Sequence, residues 1–187
     1  MQIVLTPENH KKIVDKAISV LEKGGMVVYP SDTVYGIAVD GTNGEAIKKL
    51  EDIKGRRSDQ KFSFNFSDFD MVKKYLELKE FQEKILKKYL PGPFTFVISD
   101  DVSVRIPDDS IIVDITKAFG KPTTATSANL TGGSPATSIK NLHAKIYLKA
   151  DLIIENPEFE PKPPSTVVDI REEESKVLRR GQLPFPS

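Results

Sequence analysis

The chain reads as an α+β fold, a twisted sheet of mixed parallel and antiparallel strands flanked by helices. Three observations predict it. Short runs rich in Val, Ile, Tyr and Phe alternate with amphipathic stretches almost throughout, the order that places helices over a mixed sheet. The amphipathic stretches carry capping residues at their starts and glycines at their ends. With 187 residues, 39% of them apolar, there is enough material for one packed core, so residues 1–187 are expected to form a single domain.

Thr6 followed by Pro7 opens the first helix, along which Ile13, Ala17, Ile18 and Leu21 recur at helical spacing until Gly24 and Gly25 stop it. Residues 26–29 and 36–39 are the next strands, and 45–53 form a helix that ends where a loop, Lys54-Gly-Arg56, begins. Residues 62–66 alternate apolar and polar as a half-buried strand does. Ser67 or Asp68 caps a following helix, and 79–89 form another, ended by Leu90-Pro-Gly-Pro93. Strands follow at 95–98 and 103–106. The β-branched run from 110 to 115 is ambiguous, but its Asp lead-in and its Lys117-Ala-Phe-Gly120 ending favour helix. Residues 122–126 form a strand, Ser138 caps a helix to about Leu148, and 152–154 form another strand. Four prolines between 157 and 164 mark a loop crossing the surface, and strands at 165–170 and 176–179 close the chain.

Composition removes several classes of function. Lys plus Arg equals Asp plus Glu at 27 each, so no overall field draws the chain to nucleic acid or an acidic membrane, and any RNA contact must be local. The absence of Cys excludes disulfides, thiolate metal sites and a thiol nucleophile. Only His10 and His143 are available, which leaves little for a His-built metal cage. The first residues lack the basic and apolar regions of a signal peptide, and no run is long enough to span a membrane. A cytoplasmic protein is expected.

Four polar stretches stand apart from core and surface alike. In Lys54-Gly-Arg56 a point charge and a forked guanidinium can meet one anion, although such pairs are most often solvated charge. Ser127-Ala-Asn129, opening into Gly132-Gly133-Ser134-Pro135, offers hydroxyl, amide and backbone N–H groups where phosphates bind, or else is a turn. Tyr29-Pro-Ser-Asp-Thr-Val-Tyr-Gly36 leaves a buried strand and either holds a small polar ligand or turns the chain. Ser165-Thr166 begins a strand. Arg105, between apolar neighbours, fits a carboxylate clamp or a structural ion pair. Arg179 ends a strand before Gly181. Phe62, Phe64 and Phe66 fit core packing better than base stacking.

These stretches, with Leu90-Pro-Gly-Pro-Phe-Thr95, Val104-Arg-Ile-Pro107 and Leu178-Arg-Arg-Gly181, occur in an order that resembles the YrdC family of threonylcarbamoyl-AMP synthases. The resemblance runs from residue 14 to 181. It implies a YrdC-like sheet around a large, positively lined cleft. It also implies a nucleotidyltransferase reaction: ATP, L-threonine and bicarbonate give threonylcarbamoyl-adenylate and pyrophosphate. A downstream threonylcarbamoyl transferase complex then carries the group to a tRNA adenosine, with a tRNA contact at the cleft also implied. By the same matching Lys54, Arg56, Ser127 and Asn129 form the catalytic tetrad on the nucleotide phosphates. Gln60, Pro135 and Arg179 join them in binding ATP, and Thr33, Asn65, Arg105, Ala125 and Ser165 hold threonine. Mg2+ is expected to arrive on ATP. Arg57 and Lys61 depart from the usual prolines and glycines of the nucleotide loop, Gln60 and Asn65 replace commoner residues, and the extra C-terminal domain of longer relatives is expected to be absent. Competing readings are a double-stranded RNA or tRNA-binding module, a YciO-like paralogue without this activity, and the carbamoyl-transfer module of hydrogenase maturation proteins, which requires further domains.

Overall fold

The computed structural model describes residues 1–56, 61–108 and 110–185. Ten strands form one mixed sheet: β1 (Gln2–Val4), β2 (Val27–Pro30), β3 (Tyr35–Ala38), β4 (Ser63–Asn65), β5 (Phe94–Val97), β6 (Ser103–Arg105), β7 (Thr123–Ser127), β8 (Leu152–Glu155), β9 (Thr166–Asp169) and β10 (Lys176–Arg179). Their order across the sheet is β1-β8-β2-β3-β7-β4-β6-β5-β9-β10. The helices are α1 (His10–Glu22), α2 (Gly44–Lys54), α3 (Phe69–Tyr75), α4 (Glu80–Tyr89), α5 (Ile111–Phe119) and α6 (Ala144–Lys149).

Both faces of the sheet are covered, which is why β2 is buried at every position and reads as a continuous apolar run. Val27 and Tyr29 pack with Ile13, Ala17 and Leu21 of α1 and Ile112 and Ile115 of α5. Val28, between them, points the other way and packs with Leu50 of α2 and Ile146 of α6. A third apolar cluster joins Val72 of α3 and Leu86 of α4 to Phe94, Phe96, Val104 and Val168 beneath them.

Several sequence expectations change. The segment after Ser138 is not one helix: a 3-10 turn (Ile139–Asn141) precedes a separate α6, whose first turn is capped by His143 Nδ1 accepting the Lys145 N–H at 3.1 Å. The run after Ser110 is helical, as its Asp lead-in and its glycine ending favoured, with α5 beginning at Ile111 and ended by Gly120 in the left-handed conformation. Asp68, rather than Ser67, caps α3, its carboxylate accepting the Met71 N–H at 2.8 Å. The amino-terminal strand β1 was not expected; it adds in parallel to β8 at the edge of the sheet. Lys54 lies in α2 as its last residue rather than in a loop.

Strand register brings distant motifs together. Gly36 of β3 pairs with Ser127 of β7, Ala125 of β7 with Ser63 of β4, and Asn65 of β4 with Arg105 of β6. On the far side of β6, β5 sets Thr95 beside Val167 of β9, next to Ser165.

Candidate active site

Two cavities adjoin at the middle of the sheet. The first, about 230 Å³, is lined by Tyr29, Ser31, Thr33, Gly36, Arg56, Ser63, Thr95, Arg105, Ala125, Ser127, Pro135, Ser165 and Arg179, among others. The second, about 450 Å³, is lined by Lys54, Arg56, Lys61, Thr126, Ser127, Asn129, Thr131 and Gly132. Arg56, Thr126 and Ser127 line both. Among the described lining residues there are five cations and no carboxylate.

Gly55, at φ 63°, ends α2 in the left-handed region that favours glycine and turns the chain so that Lys54 and Arg56 reach the same hollow. The Lys54 side chain is buried, and its ammonium donates to the carbonyls of Ser127 at 2.6 Å and Asn129 at 2.7 Å. Thr131 N–H returns a bond to the Lys54 carbonyl at 2.9 Å. Lys54 therefore pins the Ser127–Asn129 turn to the end of α2, and one of its three N–H donors remains for a ligand. Burial, with Arg56 beside it, lowers the Lys54 amine to about 8.

Within that turn the Ser127 hydroxyl donates to Asn129 Oδ1 at 2.5 Å, and Asn129 Nδ2 donates to the carbonyls of Leu130 and Gly133 at 2.8 and 2.7 Å. The Arg56 guanidinium lies 4.4 Å over the Phe62 ring and donates to the Lys61 carbonyl at 2.6 Å, so stacking and a hydrogen bond fix its plane. Burial lowers Arg56 from its ordinary value, but a guanidinium stays charged at any working pH.

The β2–β3 turn is held by Ser31. Its hydroxyl donates to the Val34 carbonyl at 2.6 Å and accepts the Thr33 N–H at 3.1 Å, which presents Asp32 and Thr33 at the strand exit. Arg105 reaches that turn through Nη2, which donates to Asp32 Oδ1 and to Thr33 Oγ1, the latter at 3.3 Å. On the opposite wall the Ser165 and Thr95 hydroxyls lie 2.9 Å apart, and Arg179 donates to the Ser165 carbonyl through Nη2 at 2.9 Å and Nε at 3.2 Å. Burial and then the nearby Arg105 lower Arg179 from its ordinary value. Gly36 lies against the Tyr29 ring, where a Cβ would fall 2.6 Å from Tyr29 Cζ, and burial pushes that phenol up to about 12, so it stays neutral.

Eleven of the twelve predicted site residues are described. Ten of them line one cavity or both; Asn65 does not. It is buried behind the wall, its amide donating to Tyr29 Oη at 3.0 Å and to the Thr124 carbonyl at 3.1 Å. Gln60 and Arg57 lie outside the described residues. Tyr29, Thr95 and Thr126 were not singled out, although each stands inside or at the edge of a motif that was.

With no carboxylate among its described lining residues, this cationic double cavity at the centre of a mixed sheet has the chemistry to accept a polyanionic small ligand beside a second, smaller one. Comparison with known proteins names the class. The Sua5/YciO/YrdC family model, described as "Telomere recombination", matches residues 19–181, and the chain belongs to that family. A Methanocaldococcus jannaschii protein, named provisionally as a threonylcarbamoyl-AMP synthase, is 28% identical over 192 residues, covering 97% of this chain and 91% of its own. The structure of Pyrococcus abyssi Sua5 complexed with L-threonine matches with a TM-score of 0.85 and 28% identity over 98% of this chain, though this chain spans only 58% of that one. Escherichia coli YciO, at 21% identity and a TM-score of 0.84, shares the fold. No described helix is long and apolar enough to cross a membrane.

Proposed function

We propose that the chain is a threonylcarbamoyl-AMP synthase, which makes L-threonylcarbamoyl-adenylate and pyrophosphate from ATP, L-threonine and bicarbonate. One observation carries this reading: a small cavity with the groups to hold an amino acid opens, across Arg56, Thr126 and Ser127, into a larger cationic one suited to a triphosphate. The relatives' names and the threonine complex of the Pyrococcus abyssi protein support it.

In the small cavity Arg105 would meet the threonine carboxylate, with Thr33, Ser165 and Ala125 around the rest of the amino acid. In the larger one Lys54, Arg56, Ser127 and Asn129 would grip the phosphates, and Arg179 and Pro135 would meet the nucleotide from the small cavity that they line. The threonine amine attacks the carbon of bicarbonate or of CO2 formed from it. The N–C bond forms, the ammonium gives up two of its three protons and keeps one on nitrogen, and one bicarbonate oxygen leaves as water while the remaining proton passes to solvent. A carbamate oxygen then attacks the α-phosphorus, and the α–β bridging oxygen departs with pyrophosphate. No protein nucleophile enters either step. Holding three reactants in line is worth about 7–11 kcal/mol of barrier, and the fixed cations offset charge on the phosphoryl group as it transfers. The described wall is cationic or neutral, so oxygen ligands for Mg2+ would come from the phosphates and water, and the ion would travel with ATP. The adenylate would pass to a transferase acting on a tRNA adenosine.

Pyrophosphate release is expected only when ATP, L-threonine and bicarbonate are all present. Mass spectrometry that finds no threonylcarbamoyl-adenylate under those conditions refutes the reading.

A further inference from the structure

Asp32 is the one residue of the β2–β3 turn to which the chemistry above gives no task. Its side chain is 8% exposed, Oδ1 accepts from Arg105 Nη2, and Oδ2 is buried without a hydrogen-bond partner among the described residues. A buried carboxylate with one oxygen unsatisfied is costly, and it persists only where its partner's placement compensates.

The placement concerns Arg105. Its contacts with Asp32 and Thr33 both run through Nη2, which leaves Nη1 and Nε without a protein hydrogen bond among the described residues, and Arg105 lines the small cavity. Asp32 itself does not line that cavity. It lines a separate hollow of about 830 Å³, in which Asp108, Asp114, Glu158 and Glu160 outnumber the basic Lys162 and His10. The ion pair is thus a partition with its cation toward the cationic cleft and its anion toward the acidic one.

Charge gives the pair a second consequence. Arg56, Arg105 and Arg179 all line the small cavity without a carboxylate among its described lining residues. Asp32 is the acidic side chain paired with Arg105. With Arg105 neutralised, the small cavity suits a monocarboxylate, and the more strongly cationic cavity beside it keeps the polyphosphate.

We propose that Asp32 is a positioning and specificity residue: it fixes the Arg105 guanidinium with Nη1 and Nε toward the amino-acid carboxylate, and it lowers the charge of the small cavity so that phosphate is excluded there. The inference rests on the reading of Arg105 as the carboxylate partner given above.

The test is calorimetric binding of L-threonine to the whole chain, with and without inorganic phosphate. Asp32→Asn, with its fold checked by thermal melting, is expected to bind threonine at least about tenfold more weakly, a loss of about 1.4 kcal/mol. ATP affinity should stay at the unmodified level, and Asp32→Glu should recover part of the threonine affinity. Phosphate should compete with threonine in Asp32→Asn and not in the unmodified chain. A second comparison, of Arg105→Gln with the double variant Asp32→Asn/Arg105→Gln, removes the charges together and serves also if the single Asp32 change fails to fold. Equal threonine affinities in those two are expected, because Asp32 acts through Arg105. Intact threonine binding in folded Asp32→Asn, parallel losses for ATP and threonine, or a further loss in the double variant overturns the inference alone. Absence of threonine binding by the unmodified chain overturns the proposed function, and this inference with it.

Discussion

Replacing Lys54 by Met separates what its ammonium does for the fold from what it does for the site. The side chain is buried, and its charge donates at 2.6 and 2.7 Å to the Ser127 and Asn129 carbonyls. Losing two bonds from a charged donor costs about 1.5–3 kcal/mol each. Against this, the amine is held at about 8 rather than its ordinary 10.5, so removing it relieves about 3 kcal/mol of burying the charged form at neutral pH. The net expectation is a loss of about 0–3 kcal/mol, which lowers the melting temperature by at most about 12 °C in a chain of this size. Turnover should fall far more, by about a hundredfold or beyond, as when one fixed donor at a transition-state charge is lost, because both the phosphate cation and the pin on the Ser127–Asn129 turn disappear. Adenylate formation followed by mass spectrometry, beside a thermal melt, reads the two effects separately. A folded Lys54→Met variant that turns over at the unmodified rate refutes the assignment. The pH signature has a definite sign. Because the folded amine titrates below its unfolded value, the unfolded chain holds more protons between pH 8 and 10.5, so the contribution of this group to stability rises across that window. ATP affinity should move the opposite way, falling as pH passes about 8 and the ammonium is lost. Lys54→Arg should abolish that dependence.

Three further outcomes follow from the same geometry. Arg56→Ala and Ser127→Ala should each remove adenylate formation while the circular dichroism spectrum stays native; an active double variant would contradict their assignment. Gly36→Ala sets a Cβ 2.6 Å from Tyr29 Cζ, so the ring must shift and its bond with Asn65 is strained; melting should show a loss of about 1–3 kcal/mol, and an unchanged melt would count against the close approach. Asn65→Leu should lower stability by about 1–3 kcal/mol through its buried partners while threonine affinity changes little, and a large loss of affinity at unchanged stability would place Asn65 in the binding set after all.

The legibility of this chain differs by element. Helix α2 was readable from the sequence to within a residue at each end, and in the structure Asn43 caps its start and Gly55 its finish. The same logic failed after Ser138, because Leu142 is extended and His143 caps a new helix, so one continuous helix gave way to a 3-10 turn and the short α6. Strand β1 escaped notice because three residues at a sheet edge alternate too briefly to signal anything. Ordered motifs pointed to ten of the described wall residues, and Asn65 lies behind that wall, because sequence position says which strand a residue occupies, not whether its amide faces a cavity or a neighbour.

By itself the sequence determined the residue chemistry: a set of Lys, Arg, Ser, Thr and Asn with no thiol and almost no imidazole, sited at the ends of short strands and helices. Caps, apolar spacing and turn residues are local, and local physics suffices to read them. Only the tertiary structure decided which of those groups meet. The pairing of Gly36 with Ser127 and of Asn65 with Arg105 depends on register between strands far apart in the chain. Register is a property of the packed sheet, and so are the bond from Lys54 to the turn it pins and the ion pair that turns Arg105 toward the cleft.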